Sequence, residues 1–266
     1  MKVSTTAAAA AAGRVRNGAG MANTRAAELL ATWETGLAQA PSGRALLLHR
    51  AARPDTGGET LSSLPVGERE ADLFALRRAL FGERMQVRLE CGACGEDMEF
   101  DLDAGEFARS LAAPAEPSVR VVEDGWEIEF RVPGIADLTE AARQPEPRRA
   151  LLARCVVSAV RDGEALSADV LSDALPEAVQ RRLAEAAQAA DPAADVTLNV
   201  SCPECGAGTR AELDIASYLW TELDAWARDV LLDVHLLATA YGWSEPEILA
   251  LSPLRRRYYL ELCADV

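Results

Sequence analysis

Residues 86–103 read QVRLECGACGEDMEFDLD and residues 198–214 read LNVSCPECGAGTRAELD. The two stretches align without a gap from the cysteines onward, matching Cys91 with Cys202, Cys94 with Cys205, Gly95 with Gly206, and Leu102-Asp103 with Leu213-Asp214. A Cys-x-x-Cys-Gly turn between strands presents two thiolates to one metal ion while its glycine permits the tight backbone twist. Two such knuckles complete the tetrahedral four-sulfur set that zinc prefers. Cys91, Cys94, Cys202 and Cys205 are therefore the expected ligands of one Zn2+ per chain, joined in the fold although more than a hundred residues separate them. Four thiolates leave no open position for a water, so the metal is expected to be structural and not catalytic. Reduced packing cysteines and a thioredoxin-like redox pair are the competing readings. A redox pair sits at a helix N-terminus after a buried strand and needs no duplicate, whereas two copies with the same flanks are what a shared metal requires.

Working outward, Val87 and Leu89 alternate with polar residues before the first pair, and Met98, Phe100 and Leu102 alternate after it, as in two strands around a tight turn. Val119 and Val121, then Trp126, Ile128 and Phe130, alternate around Asp124-Gly125, a dipeptide that favours a two-residue hairpin turn. A meander of about four strands is expected. Residues 135–190 switch to helical periodicity in ADLTEAARQ, EPRRALLARCVVSAVRDG and LPEAVQRRLAEAAQAAD, which predicts three helices. VTLNV leads into the second pair as a strand.

Before the first knuckle, Leu29, Leu30, Trp33 and Leu37 recur at helical spacing, and RALLLHRAA follows Pro41, giving a helical hairpin. RPDTGGETLSSLPVG reads as a loop into EREADLFALRRALFG, a helix that Gly82 ends. After the second knuckle, Asp214 can cap a long amphipathic helix with Leu219, Leu223, Trp226, Val230, Val234, Leu237 and Tyr241 on one side. Glu222, Asp224, Arg228, Asp229, Asp233 and His235 are expected on the other side, and Gly242 stops the helix. Ser244 and Glu247 form a capping box for one short helix, and Ser252-Pro253 starts another. The expected fold class is α+β, mostly helical, with a small antiparallel β region built around a discontinuous four-cysteine zinc ribbon. The expected organisation is a 1–22 disordered Ala/Gly-rich tail, a 23–82 helical region, a first knuckle with hairpins at 83–134, a helical insertion at 135–195, a second knuckle at 196–213, and a 214–266 helical docking region.

Composition narrows function. A charge of −15 repels a phosphate backbone, so nucleic acid is not an expected partner. No run is long and apolar enough for a membrane span, so no membrane insertion is expected. The Ala tract from Ala7 to Ala12 precedes its arginines and does not read as a secretory signal; Met21 is an alternative start. Without a secretion signal the six cysteines imply a reducing, cytoplasmic setting, with Cys155 and Cys263 as packing residues. No Gly-rich phosphate loop, His-Glu-x-x-His or nucleophile triad is present, and His49 and His235 are the two histidines, so no enzyme is expected. The last helices carry Trp243, Arg255, Arg256, Arg257, Tyr258 and Tyr259. These are expected to dock a protein partner, because arginine and aromatic residues make interface hot spots. A helix-turn-helix reading fails on three adjacent arginines that point around the helix rather than along one face.

Six stretches carry a resemblance: LLATWETGLAQAP, LPVGERE, LRRALFGERM, CGACGE, CPECGAG, and DIASYLWTELDAWARDVLLDVHLLATAYGWSEPEILALSPLRRRYYLELC. Together they span about nine-tenths of the chain. They resemble the T-even-type baseplate proteins, including baseplate hub assembly chaperones, of contractile phages and extracellular contractile injection systems. The resemblance implies a non-enzymatic role in building the baseplate or hub, with hub, spike, tube and other baseplate proteins as partners. It places the chain in the cytoplasm during assembly and allows for a place in the finished particle. It carries over no catalytic residue. A zinc-ribbon nucleic-acid-binding regulator and a thiol oxidoreductase are the rival functions.

Overall fold

The computed structural model describes residues 23–111, 118–167 and 174–264. The expected N-terminal tail lies outside the described residues. The elements in order are α1 (Asn23–Leu37), α2 (Pro41–Ala52), α3 (Gly58–Ser63), α4 (Val66–Phe81), β1 (Arg84–Glu90), β2 (Asp97–Asp103), α5 (Ala104–Leu111), β3 (Ser118–Glu123), β4 (Trp126–Arg131), α6 (Ile135–Ala142), α7 (Pro147–Cys155), β5 (Val156–Arg161), β6 (Glu164–Ala165), α8 (Glu177–Ala190), a 3-10 turn (Pro192–Ala194), β7 (Thr197–Ser201), β8 (Gly208–Glu212), α9 (Ile215–Tyr241), α10 (Glu245–Leu249) and α11 (Pro253–Ala264). The fold is α+β, mostly helical, with small antiparallel sheets and a long helix followed by two shorter ones. The described residues form two compact units, one from residues 23–52, 73–105 and 199–264, the other from 53–72, 106–111, 118–167 and 174–198.

In the first unit α1, α2 and α9 pack on one another. Asp214 caps α9, accepting from the Ser217 N–H at 3.0 Å, and Gly242 ends it at φ 71°. Leu219, Leu223, Val230 and Leu237 are buried as their spacing requires, and Trp220 and Ala227 join them. The side expected to face water is less simple. Asp224 accepts from Trp33 Nε1 at 2.8 Å, Glu222 takes the Arg77 guanidinium, and Asp233 lies 3.0 Å from Arg256, while Asp229 and His235 are exposed. Helical periodicity marks polar positions, but it cannot tell a solvated carboxylate from one paired with a cation on a neighbouring element.

Arg77 is 2% exposed. Its Nε and Nη2 grip both Glu222 oxygens at 2.8 and 2.6 Å, Nη1 donates to the Gly82 carbonyl at 2.6 Å, and Nη2 donates to that of Arg84 at 2.7 Å. A buried guanidinium is tolerable only when paired and hydrogen-bonded in this way. The contact secures the end of α4 and the start of β1 to α9.

In the second unit β3, β4, β5 and β6 form one antiparallel sheet in that order. Val121, Trp126, Ile128, Phe130 and Ala159 of this sheet pack with Val179 and Leu183 of α8. Two expectations are corrected here. The strands do not make one four-stranded meander, since β1 and β2 form a separate hairpin. The helix expected through EPRRALLARCVVSAVRDG stops at Cys155, and Val156–Arg161 is strand, because β-branched Val156, Val157 and Val160 suit a pleated surface beside β4. The expected loop at 53–67 also contains α3, and α5 follows β2 where no helix was foreseen. Cys155 is buried, and its thiol is pushed up to about 11 by burial and then by Asp137, which keeps it an inert packing group.

Asp137 holds the entry to α6. It accepts from the Gly134 N–H at 3.1 Å, from Arg131 Nη2 at 2.6 Å and from Arg154 Nε at 3.3 Å. Burial raises its carboxyl, but the Arg131 hydrogen bond, the Gly134 N–H and the two arginine charges outweigh it, and the net shift is downward. A depressed folded-state value contributes stability above the unfolded carboxylate range, and that stability is lost as pH falls through the folded value.

Two outcomes follow for stability. Arg77→Met should cost about 3–5 kcal/mol in urea unfolding, because Glu222 and two carbonyls lose their partner. Asp137→Asn should lower stability at neutral pH and flatten its decline below a pH of about 4, measured by urea midpoints across acid buffers.

Candidate metal centre

β1 and β2 pair in register from Arg84↔Asp103 to Glu90↔Asp97, which delivers Cys91 and Cys94 to the tip of a hairpin. Met85, Val87 and Leu89 bury the inward face of β1. The turn closes through two hydrogen bonds, Gly95 N–H to the Cys91 carbonyl at 2.9 Å and Cys91 N–H to the Glu96 carbonyl at 2.8 Å. The second turn repeats both, Gly206 to Cys202 at 2.9 Å and Cys202 to Ala207 at 2.9 Å. Gly95 at φ 77° and Gly206 at φ 71° occupy the left-handed region at the same point of each turn. The sequence duplication is thus a duplication of backbone geometry.

Both knuckles belong to the first unit, and their four sulfurs lie within 4.8 Å of one another. The Cys91 and Cys205 Sγ atoms are 3.7 Å apart, as are those of Cys94 and Cys202. These are free thiols, far beyond the roughly 2.05 Å of an S–S bond. A tetrahedron with zinc–sulfur arms of about 2.3 Å has edges of about 3.8 Å. The cluster therefore has the size of a four-thiolate metal site. Cys91 and Cys202 are buried and Cys94 and Cys205 exposed, so each knuckle offers one inner and one outer sulfur.

The electrostatics suit a cation. Cys91 is lowered to about 6, chiefly by the backbone N–H groups of Cys94 and Ala93, which favour its thiolate. Cys94 receives the Glu96 N–H, yet the thiols of Cys205 and Cys91 push it up to about 12, since a second thiolate this close to the first is repelled. A divalent ion removes that conflict by neutralising both charges.

Support for the cluster includes a residue the sequence reading missed. Tyr218 on α9 accepts the Gln86 N–H and donates to the Gln86 carbonyl, both at 3.0 Å, clamping β1 to the helix. Its only sequence signal is an aromatic with a polar tip near a helix start.

The expected docking residues divide. Trp243 stacks on Tyr241 with ring centroids 4.6 Å apart and meets Tyr259 edge-on at 4.9 Å, so both belong to an aromatic corner of their own unit. Arg256 is 6% exposed and turned inward to Asp233. Arg255, Arg257 and Tyr258 face outward. Of the two histidines, His49 is buried on α2 and His235 exposed on α9. Among the described residues no helix is long and apolar enough to cross a membrane.

A model of the family described as T4 bacteriophage base plate protein matches residues 52–217, which include both knuckles. Neither a curated protein nor a solved structure matches the chain.

The positive φ of the knuckle glycines sets an expected cost. Nothing lies within 4 Å of a Cβ built at Gly95 or Gly206, so Gly95→Ala and Gly206→Ala should each lose about 1–2 kcal/mol through backbone strain alone. Gly57→Ala, at φ −63° and equally open, should be close to neutral in the same thermal melts.

Proposed function

The chain belongs to the T4 bacteriophage base plate protein family, and from that premise we propose that it is a non-enzymatic structural or assembly protein of the baseplate or hub of a phage-tail-like contractile injection system. The observation that carries this reading is the family match over residues 52–217. The partners are other baseplate, hub, spike or tube proteins, met through the C-terminal helices. The protein acts in the cytoplasm while the tail is built, and a place in the mature particle is compatible with the same surfaces.

Cys91, Cys94, Cys202 and Cys205 hold one zinc ion in this reading. The support is the four-sulfur cluster of tetrahedral dimensions. With all four positions taken by thiolate, the ion supplies a crosslink and no activated water. It ties residues 114 apart in sequence. By the loop-closure estimate for such a link, the unfolded chain loses entropy worth about 4–5 kcal/mol. That suits a protein whose task is to present surfaces in fixed positions. The same four-thiolate geometry argues against a redox pair, since chelated thiolates are not free to exchange disulfides.

Affinity capture of the tagged protein from its producing cells, with quantitative mass spectrometry, should recover tube, hub, spike or baseplate subunits. Recovery of RNA polymerase or nucleic acid without tail proteins would move the assignment to a zinc-ribbon regulator. Elemental analysis should find one zinc per chain, and Cys94→Ser should lose it and melt at lower temperature. A metal-free protein that is fully folded and as stable as the zinc-loaded one would sink the zinc reading. Chelation should lower stability by about 4 kcal/mol if the ion had been about a thousandfold above its Kd.

A further inference from the structure

The outward face of α11 carries Leu254, Tyr258 and Leu262 at 64, 61 and 58% exposure. Successive members are four residues apart, so at 100° per residue they form one stripe along the helix. Arg256 lies on the opposite face, held inward by Asp233, which fixes the rotation of the helix and leaves the stripe uncovered among the described residues. Arg257 and Glu261 fall together on one flank of the stripe, 2.9 Å apart, and Arg255 falls on the other.

We infer that this stripe pairs with the same stripe on a second copy of the chain, α11 against α11, antiparallel about a two-fold axis at Tyr258. The inference rests on the reading of the C-terminal helices as a docking surface and assigns one part of it, the α11 stripe, to a second copy. The charges select this arrangement. In the antiparallel pair Leu254 of each copy meets Leu262 of the other, and Tyr258 meets Tyr258. Glu261 then stands about 3 Å along the axis from Arg257 of the other copy and on the same flank, so two ion pairs form across the interface. Arg257 also stands about 3 Å along the axis from its own counterpart, but each is bracketed by its own Glu261 and that of the other copy, and Arg255 meets its own counterpart only at about 9 Å. The parallel pair would instead set Arg257 beside Arg255 of the other copy and is disfavoured by like charge. A two-fold interface of one patch with itself is the commonest way a single chain closes an assembly.

The stripe covers a few hundred Å² of apolar surface, the size of the largest patch on a typical monomer, which is often functional. It is smaller than the roughly 800 Å² per partner of a stable complex, so the dimer is weak and concentration-dependent. The −15 charge of each chain adds a repulsion that physiological salt largely screens.

Sedimentation equilibrium of the full, zinc-loaded chain in physiological salt tests this. The mass should rise from one chain toward two between low and high micromolar concentration, and Tyr258→Glu should abolish the rise. Arg257→Glu and Glu261→Arg should each weaken association roughly tenfold by placing like charges across the axis. An equimolar mixture of those two variants should recover it, because the mixed pair restores both cross-interface contacts while the ion pair within each helix stays broken. Circular dichroism and zinc content check that every variant is folded. A wild type that stays monomeric throughout, association indifferent to Tyr258→Glu, or a mixture no better than its components each overturns the proposal. Tail proteins captured by a strictly monomeric chain would overturn this inference while leaving the assembly role intact. A dimer that captures none would do the reverse.

Discussion

Four sulfur atoms from two turns more than a hundred residues apart lie within 4.8 Å of one another, and much of the first unit serves to hold them there. The tolerance is narrow if the four are to share one metal ion, whose tetrahedron of thiolates has an edge of about 3.8 Å. β1 and β2 carry one pair, stiffened by full antiparallel register and by the buried side chains of β1. Tyr218 fixes that hairpin to α9 by two hydrogen bonds to one backbone residue, and Asp214 starts α9 directly after the second knuckle strand. The helix is thus the common ruler for both turns, reaching the first through Tyr218 and the second through the chain itself.

The buried charges answer a related need. An acidic chain could leave its carboxylates in water, yet Glu222, Asp137 and Asp233 each meet an arginine at a place where elements join. Such pairs add little net stability relative to apolar packing. A slip would nevertheless strand a charge, and at Glu222 and Asp137 directional hydrogen bonds add to that constraint. Arg77 shows this well, because four acceptor contacts from three residues surround one guanidinium, and no shifted packing of α4 on α9 would satisfy them. Specificity of arrangement is what a structural protein of a baseplate needs from its interior.

The parts legible in the sequence were those set by local rules. The knuckles announce themselves by duplication, the caps of α9 and α10 by Asp214, Gly242 and the Ser244–Glu247 pair, and the β3–β4 hairpin by Asp124-Gly125. The parts that were not legible depend on partners far along the chain. Val156–Arg161 continues a helical pattern on paper and becomes a strand because β4 is there to receive it. A local cue did exist. Asp162-Gly163 repeats the turn chemistry of Asp124-Gly125, and both pairs adopt positive φ at each residue, as a tight hairpin between right-twisted strands requires. Read as the end of a helix, that dipeptide concealed a second hairpin. The roles of Arg77, Glu222 and Arg256 had no cue of this kind, since nothing in a helix sequence says which charged side chain will find a buried partner.

The division of the C-terminal arginines bears on function as well as fold. Three consecutive arginines look like one basic cluster, the composition from which a nucleic-acid contact would be argued. At 100° per residue they cannot share a face, and the structure uses the middle one internally while Arg257 is neutralised by Glu261. Of the three, Arg255 remains outward with no ion pair among the described residues, beside an apolar stripe on a strongly acidic chain. A phosphate backbone needs several cations on one face to gain affinity through counterion release. An apolar stripe gains instead from another apolar surface that excludes water from it. The chemistry left exposed on α11 is therefore better matched to an apolar surface than to a phosphate backbone, and that is what the proposed docking role asks of it.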